Sequence, residues 1–223
     1  KLLYIINGMQ SNHGYVNTIN KTLTTYIKNK RIKYLSTLLV GYGYWGKNLA
    51  RNFARDGNLA GICDTNKEKL LEANKLYGEL GAIKLYNEYE HAVIDSNVDN
   101  IVIATPAESH YKLASQAMIE GRDVWIEKPA CCDLSSLEAL KTIAKEKGKI
   151  IFIDHTFCYN PAVIKMKELL GEIGRPLYFS STRIGLGLFQ RDVDVSLDLG
   201  IHCLSILDYL YPLLTSLSRA IKC

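Results

Sequence analysis

A lysine, an aspartate and a histidine are the side chains best placed to do chemistry in this 223-residue chain. Lys128 stands in Glu127-Lys128-Pro129, directly after the apolar run Val124-Trp125-Ile126. A cation there can hydrogen-bond a substrate hydroxyl and favour its alkoxide. It can equally be a solvated lysine paired with Glu127, as long charged side chains usually are. Asp198 and His202 are four apart, so on a helix they share one face. A carboxylate beside an imidazole makes a base with its orienting partner, and histidine is the side chain best suited to take a proton near neutral pH. The competing account is a core histidine next to a helix-capping aspartate.

A second constellation concerns phosphate. Val40-Gly41-Tyr42-Gly43-Tyr44-Trp45-Gly46 is a G-x-G-x-x-G between the apolar run Leu38-Leu39-Val40 and a helix-like run, Lys47 to Arg55. Gly41 permits the tight strand-to-helix turn, Gly43 lets the backbone approach a pyrophosphate, and Gly46 lets helix and strand pack closely. The helix start offers unpaired N–H groups to the phosphates. A further apolar run, Leu59-Ala60-Gly61-Ile62-Cys63, ends in Asp64, about 20 residues on, where an acid accepts the ribose hydroxyls of adenosine. The same charge repels a 2′-phosphate. The expected cofactor is therefore NAD, with NADP not excluded because Lys67 follows closely.

The elements that must position these groups alternate in type. Strands are expected at 34–40, 59–63, 82–85, 99–105, 124–126 and 150–153. Helices are expected between them at 45–56, 66–77, 88–95, 109–120 and 134–147. Asn100-Ile101-Val102-Ile103 reads as a parallel strand buried on both faces. The succession predicts an α/β fold, a doubly wound (Rossmann) parallel sheet. Ligands on such sheets bind outside the carboxyl ends of the strands, where Thr105-Pro106, Glu127-Lys128-Pro129 and Asp154-His155 fall. Past residue 156 the rhythm changes. Asn160-Pro161 starts a helix to about Leu170, Leu177–Ile184 alternates like a strand, and a last helix covers about 196–211. One strand cannot make an independent sheet, so the second domain is expected to be α+β and truncated.

Bulk properties narrow the class. The chain is 48% hydrophobic and 22% charged, as in a globular protein, and no apolar run approaches the ~20 residues of a membrane span. Residues 1–33 hold six cations and no acid, so the remainder carries −2 of the formal +4. The positive balance is local, and neither nucleic acid nor membrane is expected as a partner. Cys63, Cys131, Cys132, Cys158, Cys203 and Cys223 lack C-x-x-C spacing. Reduced thiols in the cytoplasm are expected. A zinc site on His155 and Cys158 lacks a second ligand pair, so no metal is expected.

With these motifs together, the chain resembles the glucose–fructose oxidoreductase / inositol dehydrogenase / MocA (Gfo/Idh/MocA) family. The likeness lies in the glycine turn 40–46, in Ala104-Thr-Pro-Ala-Glu-Ser-His110, in Glu127-Lys-Pro129 and in Asp198-x-x-x-His202. Asp154-His-Thr-Phe-Cys-Tyr-Asn-Pro161, Gly171-Glu-Ile-Gly-Arg-Pro176 and Leu186-Gly-Leu-Phe-Gln190 resemble a narrower group, nucleotide-sugar dehydrogenases of the UDP-N-acetylglucosamine 3-dehydrogenase type. The resemblance implies an oxidoreductase moving a hydride from a ring hydroxyl carbon of a nucleotide sugar or related sugar to nicotinamide. An inositol or other polyol dehydrogenase, or an inactive dinucleotide-binding fragment or sensor, are the alternatives. It implies that His202 acts as base, that Lys128 polarises the same oxygen and that Asp198 orients the site. Gly41, Gly43, Tyr44, Trp45, Gly46, Asp64, Thr105, Pro106, His110, Glu127 and Lys128 line the cofactor, and Asn160 and Arg183 join Lys128, Asp198 and His202 at the substrate. Asn160 also reads as a helix cap and Arg183 as a solvated strand residue. The resulting division is a basic extension of unassigned role (1–33), a dinucleotide-binding domain (34–156) and an incomplete substrate and dimerisation domain (157–223). A homo-oligomer is expected at full length.

Overall fold

A computed structural model describes residues 35–78, 83–95, 97–174, 177–184 and 193–212. The extension 1–33 and the segment 186–190 lie outside the described residues. The described chain falls into two compact units, 35–154 and 155–212.

The first unit is a six-stranded sheet in the order β3-β2-β1-β4-β5-β6, with every pairing parallel. Its strands are β1 (Thr37–Val40), β2 (Leu59–Cys63), β3 (Lys84–Tyr86), β4 (Asn100–Ile103), β5 (Asp123–Ile126) and β6 (Ile151–Ile153). Between them run α1 (Tyr44–Arg55), α2 (Lys67–Tyr77), α3 (Tyr89–Asp95), α4 (Ala107–Ile119) and α5 (Leu134–Lys147). The chain reverses its order of addition between β3 and β4, so the carboxyl ends of β1 and β4 flank a crevice, the usual ligand position on such sheets.

Successive side chains point to opposite faces of the sheet, as strands require. Leu38, Val40, Ile101, Ile103, Val124 and Ile126 face a core closed by Tyr89, Ala92 and Val93 of α3, Ala114, Ala117 and Met118 of α4, and Leu140 of α5. Trp125 points to the other face, edge-on to Phe53 of α1 and to Phe152 of β6. Each such side chain contributes about 1.5–3 kcal/mol by leaving water. β1 and β4 are buried throughout, which is why they read as continuous apolar runs.

Helix ends are set locally. Asn66 caps α2, its Oδ1 accepting from Glu68 N at 2.8 Å and Lys69 N at 3.4 Å. Asp133 caps α5 by accepting from Ser136 N at 2.8 Å. With the Ser135 and Ser136 hydroxyls also donating to it, the Asp133 carboxyl is held down to about 2. Gly148 ends α5 in the left-handed conformation, φ +62, which costs glycine least.

The second unit holds a 3₁₀ turn (Thr156–Tyr159), α6 (Pro161–Ile173), a π turn (Ser196–Gly200) and α7 (Ile201–Leu210). Asn160 Oδ1 accepts from Ala162 N at 2.9 Å and caps α6. Asp194 Oδ1 does the same for Ser196 N and Leu197 N. The turn at 156–159 packs on α7, where Phe157 lies edge-on to His202 at 4.7 Å between ring centres.

One expected element is not a strand. Residues 177–184 have no regular structure, and Leu177 (99%), Tyr178 (85%) and Ile184 (88%) are exposed. Alternation is a side-chain pattern, whereas a strand needs a hydrogen-bonded neighbour. None pairs with this segment among the described residues. The helix expected at 161–170 extends to Ile173. The one at 196–211 opens with a π turn, a distortion often found near functional sites. No helix among the described residues is long and apolar enough to cross a membrane.

Candidate active site

The glycine turn separates two requirements. Gly41 has φ +94, and a Cβ on it would lie 2.5 Å from the Ala104 carbonyl oxygen. A Cβ on Gly46 would lie 1.9 Å from the Gly41 carbonyl oxygen. Both glycines are demanded by backbone meeting backbone. Gly43 differs: its φ of −83 suits any residue, and a Cβ there meets only the Lys69 ammonium, at 4.0 Å. That open side is the cradle. Gly43 gives α1 no side-chain cap, and no acid stands in the first turn, so the positive end of the helix dipole stays available to an anion. The residues present fit a dinucleotide pyrophosphate.

Asp64, at the end of β2, is buried. Its Oδ2 accepts from Tyr42 N at 2.7 Å and its Oδ1 from Asn66 N at 2.8 Å. A carboxylate oxygen has two acceptor sites, so Oδ1 keeps one for a ribose hydroxyl. The cation beside it is Lys69, Nζ 3.5 Å from Oδ2, rather than Lys67, which the order of residues suggested. Tyr44 is exposed and stacks on Trp45 at 6.2 Å.

The ladder continues past the strand ends. Ala104 N donates to Val40 O (2.8 Å), Glu127 N to Ile103 O (2.9 Å) and Asp154 N to Ile126 O (2.9 Å). Thr105-Pro106, Glu127-Lys128-Pro129 and Asp154 are thereby aligned along the carboxyl edge of one sheet. The Thr105 hydroxyl donates to Ser109 Oγ at 2.6 Å, and Ser109 Oγ to Pro106 O at 2.7 Å. His110 is fully buried, with Nδ1 2.8 Å from Pro129 O and Nε2 2.8 Å from Thr105 O. These two contacts tie the loops together. A neutral imidazole donates to one of these carbonyls, an imidazolium to both.

Glu127 and Asp154 are the unusual pair. Both are buried, 8% and 1% exposed. Glu127 Oε2 accepts from Lys128 N at 3.3 Å. Glu127 Oε1 and Asp154 Oδ1 meet no hydrogen-bond donor. Burial first, then the charge of Asp154, pushes the Glu127 carboxyl far up. Burial also raises Asp154, against the Trp125 indole, which favours its charged form. Sequence reading placed Glu127 at the cofactor and noted Asp154 only as a strand-end acid. Nothing in the linear pattern announced that the two would face each other.

The second unit gathers its own polar groups. His202 is buried, and Asp198 lies half-buried in the π turn one helical turn earlier. The Arg183 guanidinium sits 4.1 Å above the Phe157 ring, an ordering contact that sequence alone did not suggest. The Ser181 hydroxyl donates to Cys203 Sγ at 3.0 Å and, with Arg183, holds that thiol below its usual range. Burial lowers His155. Lys128 and the cradle thus belong to the first unit, while Asn160, Arg183, Asp198 and His202 belong to the second. Among the described residues, no group of three or more His, Cys, Asp or Glu side chains is set to hold a metal ion.

Residues 35–155 match the profile of the oxidoreductase family with an NAD-binding Rossmann fold, Gfo/Idh/MocA. The chain belongs to that family. It is 29% identical over 174 residues to UDP-N-acetylglucosamine 3-dehydrogenase of Acidithiobacillus ferrooxidans, covering 78% of this chain and 53% of the relative. It is 26% identical over 178 residues to scyllo-inositol 2-dehydrogenase (NAD(+)) of Bacillus subtilis, covering 77% and 51%. Among solved structures it is similar to an NAD-binding protein from Listeria innocua, with TM-score 0.64, 26% identity, and 80% and 55% of the two chains covered. The chain spans about half the length of the curated relatives it matches. The Gfo/Idh/MocA cradle described above is therefore an NAD site.

Proposed function

We propose that the protein is a dehydrogenase that moves a hydride from a ring hydroxyl carbon of a nucleotide sugar of the UDP-N-acetylglucosamine type, or a related sugar, to NAD. The observation that carries this is the alignment of the glycine cradle with Glu127-Lys128-Pro129 along one sheet edge. A dinucleotide laid on α1 and Asp64 runs along that edge, and Lys128 stands at its far part. When bound, NAD supplies nicotinamide C4 as hydride acceptor.

The chain's own residues handle the proton. His202 removes it from the hydroxyl, and Lys128 donates a hydrogen bond to the same oxygen, favouring the alkoxide while C–H electrons leave. Asp198, one turn earlier, orients the imidazole. Arg183, stacked on Phe157, and Asn160 contact the sugar or its diphosphate. In this assignment residues 34–156 hold the dinucleotide and 157–223 belong to the substrate domain, with a second copy of the protein completing the assembly. The inositol dehydrogenase relative makes a cyclic polyol the second reading.

The test is a panel of UDP-sugars and inositols incubated with the whole protein and NAD, with NADH absorbance as readout. Turnover on a UDP-sugar, reduced about 10²- to 10⁴-fold in Lys128→Ala and His202→Ala with NADH binding retained, supports the proposal. Turnover on inositol alone shifts it to the second reading. A protein that binds NADH and oxidises none of them refutes both.

A further inference from the structure

We propose that Glu127 and Asp154 share a single proton, and that this one-proton carboxyl pair is the positioning device of the Glu127-Lys128-Pro129 loop. The proposal rests on that loop lining the nicotinamide side of the NAD site.

Geometry comes first. The parallel register of β5 and β6 places the two acids on neighbouring strand ends, one residue past Ile126 and Ile153. Both side chains are more than nine-tenths buried. Each leaves one oxygen without a donor. Two ionised carboxylates in that position would repel at low dielectric. One proton removes the difficulty, because the protonated acid becomes the missing donor for the other. The pair then bridges the two strands and keeps one negative charge.

The surroundings are consistent. Lys128 is the cation on the same strand end, and its backbone N–H and charge favour an ionised Glu127. Trp125 on β5 favours an ionised Asp154. From the β4 side, the contact with Glu127 is the Ile103 carbonyl. His110 on α4 reaches Pro129 O, two residues away, and His155 follows Asp154 in the chain. The pair titrates as a unit. Deprotonation sets two charges against each other at the root of the loop that carries Lys128.

The sign of the linkage is fixed. In the unfolded chain both acids lose their protons in the ordinary carboxylate range, while the folded pair retains one well above it. Between those limits the folded state holds one proton more, so stability falls as pH rises, by up to about tenfold in the folding equilibrium per pH unit. Glu127→Gln replaces the shared proton with a fixed amide donor and removes that slope. Asp154→Asn does the same from the other side.

The experiment measures thermal unfolding and NADH affinity, the latter by fluorescence, from mildly acidic to alkaline pH in the whole protein and both amide variants. ¹³C-carboxylate NMR of the unsubstituted protein accompanies them. The expected result is a high-titrating carboxyl resonance that is absent from Glu127→Gln. Stability and NADH affinity fall together with pH in the unsubstituted protein, and neither slope survives in the variants. Should Asp154→Asn fail to fold, Glu127→Gln and the NMR titration decide. Slopes that persist in Glu127→Gln, or two carboxyls titrating in the ordinary range, overturn the pair. A stability slope removed by substitution while the NADH slope persists overturns its positioning role. Neither result depends on turnover, so a failed substrate panel leaves this proposal standing, and the converse also holds.

Discussion

The two outer glycines of the turn and the middle one should fail in opposite ways when each is replaced by alanine. In Gly46→Ala the new methyl must sit 1.9 Å from the Gly41 carbonyl oxygen and 2.9 Å from its carbon. Neither is a flexible side chain, so the α1–β1 junction must open by more than an ångström. Overpacking costs about 1–3 kcal/mol where side chains can shift, and backbone against backbone lies at or beyond the upper end. Alanine recovers up to about 1 kcal/mol of helix propensity in α1. The net is a loss of roughly 2–3 kcal/mol, or about a 10 °C fall in melting temperature for a unit of this size. In Gly43→Ala the backbone is already extended, and the nearest atom is the Lys69 ammonium at 4.0 Å. The fold should lose less than about 1 kcal/mol. The methyl instead occupies the face the pyrophosphate must approach. Steric exclusion of about 1–3 kcal/mol weakens NADH roughly tenfold to a hundredfold. Thermal unfolding and NADH fluorescence titration on the same samples read both effects. Gly43→Ala binding NADH with unchanged affinity, or Gly46→Ala melting with the unsubstituted protein, refutes the division of roles.

Three further outcomes are open to measurement. Lys69→Met removes the cation beside Asp64. Because that pair is partly solvated its influence is at most about 1 kcal/mol, so NADPH should weaken about threefold to fivefold relative to NADH in paired titrations. His110→Phe removes the imidazole N–H that bridges the Thr105 and Pro129 carbonyls and should cost about 1–3 kcal/mol by chemical denaturation, with NADH affinity falling as the two loops separate. Asn160→Ala should destabilise by about 1 kcal/mol through loss of the α6 cap, while Asn160→Ser recovers most of that stability. If Asn160 also contacts substrate, the serine variant restores folding without restoring KM.

Most of the first unit was readable residue by residue. Leu134–Lys147 lies between a capping Asp133 and a terminating Gly148, and both signals act within one helical turn. The buried strands were readable because a parallel sheet covered on both faces asks for unbroken apolar runs such as Ile101-Val102-Ile103. The segment 177–184 shows the limit. Its alternation is genuine, but strand formation depends on a neighbour that local pattern cannot supply.

What the amino-acid order determined by itself was the set of local choices: where helices start and stop, which strands lie inside, and where three glycines and an acid are spaced for a dinucleotide. Those depend on interactions within a few residues, so they survive without knowledge of the rest of the chain. Only the tertiary structure decided which glycine faces open space, which lysine neutralises Asp64, and that His110 ties two loops. It also decided that Glu127 and Asp154, distant in the chain, end buried side by side. Those outcomes follow from strand register and crossover, which bring remote atoms to contact distance, and contact distance is what sets sterics, charge and proton affinity.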